Sequence, residues 1–148
     1  MVRAGLGVVG SFLAMLVFFF AVFTALYLML GAERVFEPGT FKISALWIGL
    51  ALGGSLVAGT LAGYLCLTIT GSFRACQVLA VIVFVAAIVM CFPSMTADQT
   101  PRPRAGDLPA MEAMQQGQAP VWMHLLSAVL EGAGVLMGAR MKRKSAAS

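Results

Sequence analysis

Four long apolar segments separated by short polar ones make up most of the 148-residue chain. They cover about residues 5–31, 43–70, 74–92 and 120–139. About 20 consecutive apolar residues in a helix match the hydrocarbon thickness of a bilayer, so each segment is long enough to cross it once. The pattern therefore predicts an all-α integral membrane protein, a bundle of four transmembrane helices that forms a single domain over residues 1–148.

Residues that begin or end helices mark the limits of these segments. A tight turn at Gly71-Ser72 separates the second segment from the third, Pro93 follows the third, and Pro120 opens the fourth. A cleaved signal peptide is the competing interpretation of the first segment, but its apolar region would be only about 7–15 residues long. The first segment is therefore predicted to be an uncleaved span.

Composition agrees with a membrane protein. Hydrophobic residues make up 60% of the chain and charged residues 11%, whereas about a quarter of the residues in soluble domains are charged. The net charge of +4 is compatible with nucleic-acid binding, but no basic face alternates with aromatic residues, so no nucleic-acid partner is predicted. A basic cluster in the tail at 140–148 is predicted to contact lipid headgroups instead. Its members are Arg140, Lys142, Arg143 and Lys144.

The distribution of basic residues predicts the orientation in the membrane. With the N-terminus in the cytoplasm, six basic residues and no acidic one lie inside, against four basic and five acidic residues outside. Lys and Arg are enriched in cytoplasmic loops. We therefore predict a multi-pass protein of the cell membrane with both termini cytoplasmic and an extracytoplasmic loop at 93–119.

Small residues recur at every fourth position of the second span, and the fourth span carries two glycines at the same spacing. Lipid is as apolar as leucine, so membrane helices associate through close packing and polar contacts. A helix that is small on several faces is expected at the centre of a bundle. Packing is the simpler interpretation, and a glycine-lined passage is the alternative. The glycines predicted to pack helices are Gly49, Gly53, Gly59, Gly63, Gly134 and Gly138.

Glu131 is the one charged residue deep inside a span, and it lies near the middle of the fourth. An ionised carboxylate at that depth costs at least about 2.5–3.5 kcal/mol, so the group must be protonated, paired or in contact with water. His124 and Ser127 lie on the same helix face, because they precede it by seven and four residues. No Lys or Arg lies at matching depth, so a neutral, hydrogen-bonded carboxyl is the simplest state. The candidate donors are a partner protein, Ser127, Tyr27, Tyr64 and Thr60.

Two roles for this polar stripe, defined as His124, Ser127 and Glu131, remain open. Glu131 is either an anchor that fixes the packing register, within the bundle or against another subunit, or a proton-carrying group with His124 as its outward relay.

Other reactive residues predict no further chemistry. Cys66, Cys76 and Cys91 lack metal-ligand spacing and are interpreted as small apolar residues. The methionines around the last loop suggest Cu(I), but ten methionines in an apolar chain make chance clustering the simpler explanation. No phosphate loop, metalloprotease motif, nucleophile–base pair or haem-ligand pair is evident, so no enzyme activity, cofactor or metal is predicted. Asp107 is predicted to cap a short helix from Leu108 to about Gln116.

The fourth span opens with Pro120, Trp122 and His124 and closes near the pair Gly138-Ala139. This resembles the last helix of small uncharacterised four-helix bacterial membrane proteins, which often opens Pro-x-Trp-Tyr-His and closes near Gly-Ala. Met123 replaces the usual tyrosine, and a carboxylate such as Glu131 is not part of that pattern. The resemblance covers about 20 residues; it implies a bacterial inner membrane and carries no known activity. Small multidrug transporters also have four helices, but their working glutamate lies in the first span.

These observations favour a non-enzymatic subunit of a homo- or hetero-oligomeric membrane complex, with a role in assembly or stabilisation. Its expected partners are the lipid bilayer and other membrane subunits or further copies of itself. The alternative is a small oligomeric proton-coupled carrier or channel that uses Glu131 and His124.

Overall fold

The computed structural model describes residues 2–96, 100, 103, 112 and 116–145. Four long helices and one short helix form the described part of the chain. They are α1 (Val2–Leu30), α2 (Ala32–Val35), α3 (Ala45–Thr70), α4 (Phe73–Thr96) and α5 (Val121–Ser145). All four long helices are long and apolar enough to cross a membrane. The helical fold and the number of membrane-length helices therefore agree with the hydropathy pattern.

Local signals explain where these helices begin and end. Gly31 follows α1 with a φ of 70°, a left-handed conformation that glycine adopts without a Cβ clash. The Ser44 hydroxyl accepts a hydrogen bond from the Trp47 amide at 3.2 Å and so caps the start of α3. Gly71 ends α3 with a φ of 64°, and its amide donates to the Leu67 carbonyl.

Two helices continue beyond their expected ends. Pro93 lies inside α4, which reaches Thr96; a proline in the last turn removes one amide donor but leaves the preceding turns intact. The basic cluster is part of α5, which continues to Ser145, since cationic side chains are favourable at a helix C-terminus. The predicted short helix beginning at Leu108 lies mostly outside the described residues.

The central helix of the bundle is α3, which contacts α1, α4 and α5 and packs most extensively on α5. α4 packs mainly on α5, while α1 packs mainly on α3 and touches α4 only lightly. We call the end of the bundle with α2 and residues 116–120 the loop end. The opposite end, with the Gly71-Ser72 turn, is the turn end. This arrangement leaves space between α1 and α4.

Glycines hold α3 and α5 in backbone contact. A Cβ at Gly59 or Gly63 would overlap the carbonyl oxygen of Glu131 or Val135 in α5. In the other direction, a Cβ at Gly134 would lie 2.7 Å from the Leu56 carbonyl oxygen of α3, and one at Gly138 would overlap the Thr60 carbonyl oxygen. Such distances are shorter than carbon–oxygen contacts allow, so the helices approach this closely because the side chains are absent. We call this contact the glycine seam.

Gly49 and Gly53 belong to the same small-residue pattern but not to the glycine seam. No atom lies within 4 Å of the position that a Cβ would take at either residue. Both residues are exposed. Within the described part of the chain no neighbouring helix approaches this face of α3, so packing at these two glycines stays a prediction that needs another chain.

Main-chain hydrogen bonds close the loop end of the bundle. The Ser44 amide donates to the Val35 carbonyl at 2.8 Å, which folds the segment after α2 back on itself. The Gln118 amide donates to the Phe41 carbonyl at 2.8 Å, and the Ile43 amide donates to the Gln118 carbonyl at 3.3 Å. These bonds join residues 35–44 to residues 116–120, and we call the two segments together the lid.

Candidate functional site: an interhelical cavity

A cavity of about 720 Å³ lies between α1 and α4, with α3 and α5 behind it and the lid at one end. Its volume is within the range of about 300–1,000 Å³ typical of small-molecule sites. The lining is Phe12, Met15, Leu16, Phe19, Phe20, Phe23, Tyr27, Val35, Phe36, Ile43, Trp47, Ala51, Ser55, Val83, Ala86, Ala87, Met90, Gly117, Ala119, Met123, His124, Ser127 and Glu131.

The whole polar stripe of α5 faces this cavity. His124, Ser127 and Glu131 all line it, so the structure brings the three residues together on one wall. Glu131 follows the start of α5 by ten residues, which corresponds to about 15 Å along the helix axis. It is the only acidic residue among the described lining residues, and none of those residues is Lys or Arg. The carboxyl group therefore has no opposite charge in the cavity.

Ser55 completes the polar part of the cavity from α3. It is 1% exposed, and its hydroxyl has no hydrogen-bond partner among the residues that the structure describes. The Glu131 carboxyl is its polar neighbour, but the pair does not meet the distance and angle of a hydrogen bond. An unsatisfied buried hydroxyl costs about 1–3 kcal/mol. Ser55 and Glu131 thus form a polar pair that a bound molecule can complete.

Of the four residues expected to donate a hydrogen bond to Glu131, two line the cavity and two do not. Ser127 and Tyr27 line the cavity. The Thr60 hydroxyl instead donates to the Leu56 carbonyl at 2.8 Å. Tyr64 is 40% exposed, and Lys142 lies over its ring. Ser55 was missed as a polar partner, because its spacing of four and eight residues from two seam glycines placed it in the packing pattern.

Aromatic rings of α1 and α3 form a second wall of the cavity, the aromatic wall. The rings of Phe19 and Phe23 are stacked with their centroids 4.2 Å apart. The Phe23 ring meets Trp47 edge to face, with centroids 5.4 Å apart. These rings give the cavity much of its apolar surface, and the faces of aromatic rings are electron-rich. The site therefore combines one carboxyl group with an aromatic wall.

The cavity opens sideways, between α1 and α4. Leu16 and Phe20 of α1 line it and are 47% and 52% exposed. Met90 of α4 lines the other edge and is 77% exposed. These three side chains form the mouth of the cavity. It lies on the long apolar surface of the helices rather than at an end of the bundle.

The lid separates the cavity from the surroundings at the loop end. Its lining residues are the buried Val35, Phe36 and Ile43 and the half-buried Gly117 and Ala119. An ion pair on the outside of the lid joins Lys42 Nζ to Glu37 Oε1 at 2.8 Å. The apolar lining and the main-chain bonds of the lid favour access through the mouth.

The basic cluster lies at the turn end, away from the cavity. Lys142 Nζ is 5.1 Å from the centroid of the Tyr64 ring. The guanidinium carbon of Arg143 is 5.6 Å from the centroid of the Phe73 ring. Arg140 and Lys144 are exposed. Long basic side chains that cover aromatic rings in this way bury their stems and keep their charges at the surface.

Two of the three cysteines lie at the turn end, on either side of the Gly71-Ser72 turn. Cys66 of α3 and Cys76 of α4 are both buried in the same core cluster. Cys91 is also buried and free. The thiol of Cys76 approaches the Ser72 carbonyl oxygen, with Sγ and O 3.6 Å apart. In the described part of the chain, no three His, Cys, Asp or Glu side chains are grouped as a metal site would require.

Comparisons of the chain with protein-family models, with curated proteins and with solved structures found no match. The resemblance of the last helix to small bacterial membrane proteins therefore stays a prediction.

Proposed function

We propose that the chain is a non-enzymatic integral membrane protein that takes a lipophilic molecule from the bilayer into the interhelical cavity. The observation that carries this proposal is the position of the mouth. Leu16, Phe20 and Met90 are exposed on the surface that four membrane-length helices present to lipid. A molecule dissolved in the bilayer reaches such a mouth without crossing water.

The polar groups favour a binding site over a packing defect. A purely apolar gap between helices would be filled by acyl chains and would need no carboxyl group. Here Glu131 and the buried Ser55 hydroxyl face the same space. Pockets that bind small molecules combine an apolar lining with a few polar groups that fix orientation.

The same proposal includes the orientation in the membrane. The first turns of α1, the Gly71-Ser72 turn and the basic end of α5 lie at the turn end, because the long helices alternate in direction. Arg74, Lys142 and Arg143 are therefore at one end of the bundle. By the enrichment of basic residues in cytoplasmic loops, this end lies in the cytoplasm and the lid lies outside.

Tryptophan quenching tests the access of lipid to the cavity. The chain has two tryptophans, of which Trp47 lines the cavity and Trp122 is 53% exposed. Trp122→Phe leaves Trp47 as the single reporter, and the protein is placed in nanodiscs containing lipids brominated along the acyl chain. We expect bromine to quench Trp47 fluorescence, although Trp47 is only 9% exposed.

Two matched variants complete the measurement. Trp47→Phe leaves Trp122 and gives the quenching of a residue exposed on the outside of α5. Adding Ala51→Phe to the Trp47 reporter fills part of the cavity and is expected to reduce quenching. Quenching of Trp47 that does not respond to Ala51→Phe would come through the helix wall, and a Trp47 that is not quenched would show a closed cavity. Either result contradicts the proposal.

Assembly in an oligomeric membrane complex is the second candidate function, with a role in assembly or stabilisation. The exposed mouth supports it, because a neighbouring subunit can cover Leu16, Phe20 and Met90. Phe20→Cys tests this, since the three native cysteines are buried. A disulfide-linked dimer formed in native membranes would support a second copy as partner. Co-migrating chains after purification in mild detergent would support another subunit, and a monomer in both measurements opposes assembly.

A third candidate function is proton-coupled transport of the bound molecule, which uses the whole polar stripe. Glu131 and His124 line one cavity, with Glu131 deeper along α5. In proteoliposomes with a proton gradient, Glu131→Gln is expected to abolish proton-driven flux and leave assembly intact. The glutamine side chain keeps the ability to form hydrogen bonds but cannot carry a proton. Flux that survives this change excludes Glu131 as the proton carrier. Loss of assembly in Glu131→Leu, with Gln tolerated, favours the anchor role.

A further inference from the structure

We infer that the cavity takes a lipophilic organic cation, such as a hydrophobic amine in its protonated form, with its charge at Glu131. This inference rests on the proposed binding function and names the chemical class of its ligand. It follows from the charges of the lining, the aromatic wall and the path to the mouth.

The charges of the lining select a cation. Glu131 is acidic, and the other described lining residues include no Lys or Arg that would neutralise it or attract an anion. The other titratable side chains of the lining are His124, on the same helix, and Tyr27 of α1. A bound monovalent cation supplies the missing opposite charge, and the pair forms in surroundings where charge-assisted contacts are strong.

The aromatic wall supports the same choice. Phe19, Phe23 and Trp47 form a continuous set of ring contacts along the cavity, on α1 and α3. Aromatic faces attract cations, tryptophan most strongly. A cation in the cavity is therefore attracted by Glu131 and by the ring faces it meets, whereas an anion is repelled by both.

The residues at the mouth indicate the chemistry of the part of the ligand that lies away from Glu131. Because Leu16, Phe20 and Met90 border the opening, the body of the ligand is apolar and extends toward the lipid. When the Glu131 carboxyl is neutral beforehand, binding of a permanent cation releases its proton to solvent: the O–H bond breaks and the carboxylate pairs with the cation. Affinity for a permanent cation therefore rises with pH until the carboxyl is ionised in the free protein.

Tetraphenylphosphonium tests this inference, because its charge does not depend on pH and tetraphenylborate has nearly the same shape with the opposite charge. Binding of each to the purified full chain in detergent is measured by equilibrium dialysis between pH 5 and 9. We expect saturable phosphonium binding that tightens with pH, and no saturable borate binding. Glu131→Gln should weaken phosphonium binding at least about tenfold at high pH and remove its pH dependence.

Glu33→Gln is the matched control, since it removes an exposed acidic charge on α2 outside the cavity. It should bind the phosphonium as the unchanged chain does, and size-exclusion chromatography confirms the folding of both variants. Equal binding in Glu131→Gln, or borate binding as tight as phosphonium binding, overturns the cation inference. If Trp47 is still quenched by brominated lipid in that case, the lipid-accessible cavity stands and only the ligand class is wrong. If quenching is absent as well, the proposed function fails with it.

Discussion

The glycine seam and the cavity both border α3, the cavity along Trp47, Ala51 and Ser55 and the seam at Gly59 and Gly63, and they are built from opposite kinds of residue. At the seam, glycines bring the backbones of α3 and α5 into direct contact. At the cavity, large aromatic residues of α1 line a space of about 720 Å³ between α1 and α4. The difference shows how one four-helix bundle can combine a closely packed helix pair with a hollow. Small residues fix one helix pair, and the other pair is free to border a site.

α3 therefore borders both a close-packed part of the core and the cavity. Ala51 and Ala62 are both buried alanines of α3, at 4% and 1% exposure. Ala51 packs with Phe23 and Trp47 and also lines the cavity, whereas Ala62 packs with Leu79 and Val135 and lines no part of it. Substitutions at these two positions measure the contrast directly.

The largest effect is expected for Ala62→Phe, compared with Ala51→Phe. A phenyl ring at position 62 has no space in a close-packed core, so we expect a loss of at least about 3 kcal/mol or a failure to fold. At position 51 the ring enters the cavity, and the loss should stay below about 1.5 kcal/mol. SDS titration followed by circular dichroism gives both values. Equal losses at the two positions would show that no cavity exists beside α3.

The next effect concerns the glycine seam itself. Gly63→Ala places a Cβ against the Val135 carbonyl and should destabilise the bundle by about 1–3 kcal/mol. Gly49→Ala is the matched control, because it gives the same gain in helix propensity with no atom within 4 Å of the new Cβ. The same titration measures both variants. A tolerated Gly63→Ala would mean that α3 and α5 are farther apart than the structure places them.

A smaller effect on stability is expected from Glu131→Gln. The side chain faces the cavity and its amide counterpart has nearly the same shape, so the change should stay within about 1 kcal/mol. Phosphonium binding at high pH should weaken at least about tenfold in the same variant. Destabilisation as large as that of Gly63→Ala would place the carboxyl in the packing of the bundle and favour its role as an anchor.

The smallest effect is expected for the two buried hydroxyls. Ser11 and Ser55 are each 1% exposed, and in the described part of the chain neither hydroxyl has a hydrogen-bond partner. Replacement by alanine removes an unsatisfied group, so each change should be neutral or stabilising by up to about 1 kcal/mol. Ser55 lines the cavity and Ser11 does not. Only Ser55→Ala should therefore alter ligand affinity, and an equal effect of Ser11→Ala would show that the change acts through overall stability.

The sequence predicts the helices better than their arrangement. Length and hydropathy are properties of each segment, so four membrane-length helices follow without knowledge of any contact. Gly49 and Gly63 show the limit, since they share a helix and a repeat but only Gly63 meets another backbone. Spacing identifies the face of a helix, and the neighbour of that face depends on the rest of the bundle.

Only part of the candidate site was predicted from the sequence. The shared helix face of His124, Ser127 and Glu131 follows from their spacing, and all three line the cavity. The rest of the cavity lining lies largely on α1, α3 and α4. The hydropathy of these helices does not indicate which of their side chains face the cavity. Ser55 could have been found by asking which small residue of the repeat is polar. The lid was not predicted, because it depends on main-chain bonds between residues that are distant in sequence.

The glycine seam also has a consequence for the order of biogenesis. It joins α3 to α5, two helices that are separated along the chain by the whole of α4. Since α3 is synthesised before α5, the glycine faces of α3 have no partner until α5 follows. The contact between α3 and α5 is therefore completed last, and a nascent chain halted before Val121 lacks the helix that completes its core.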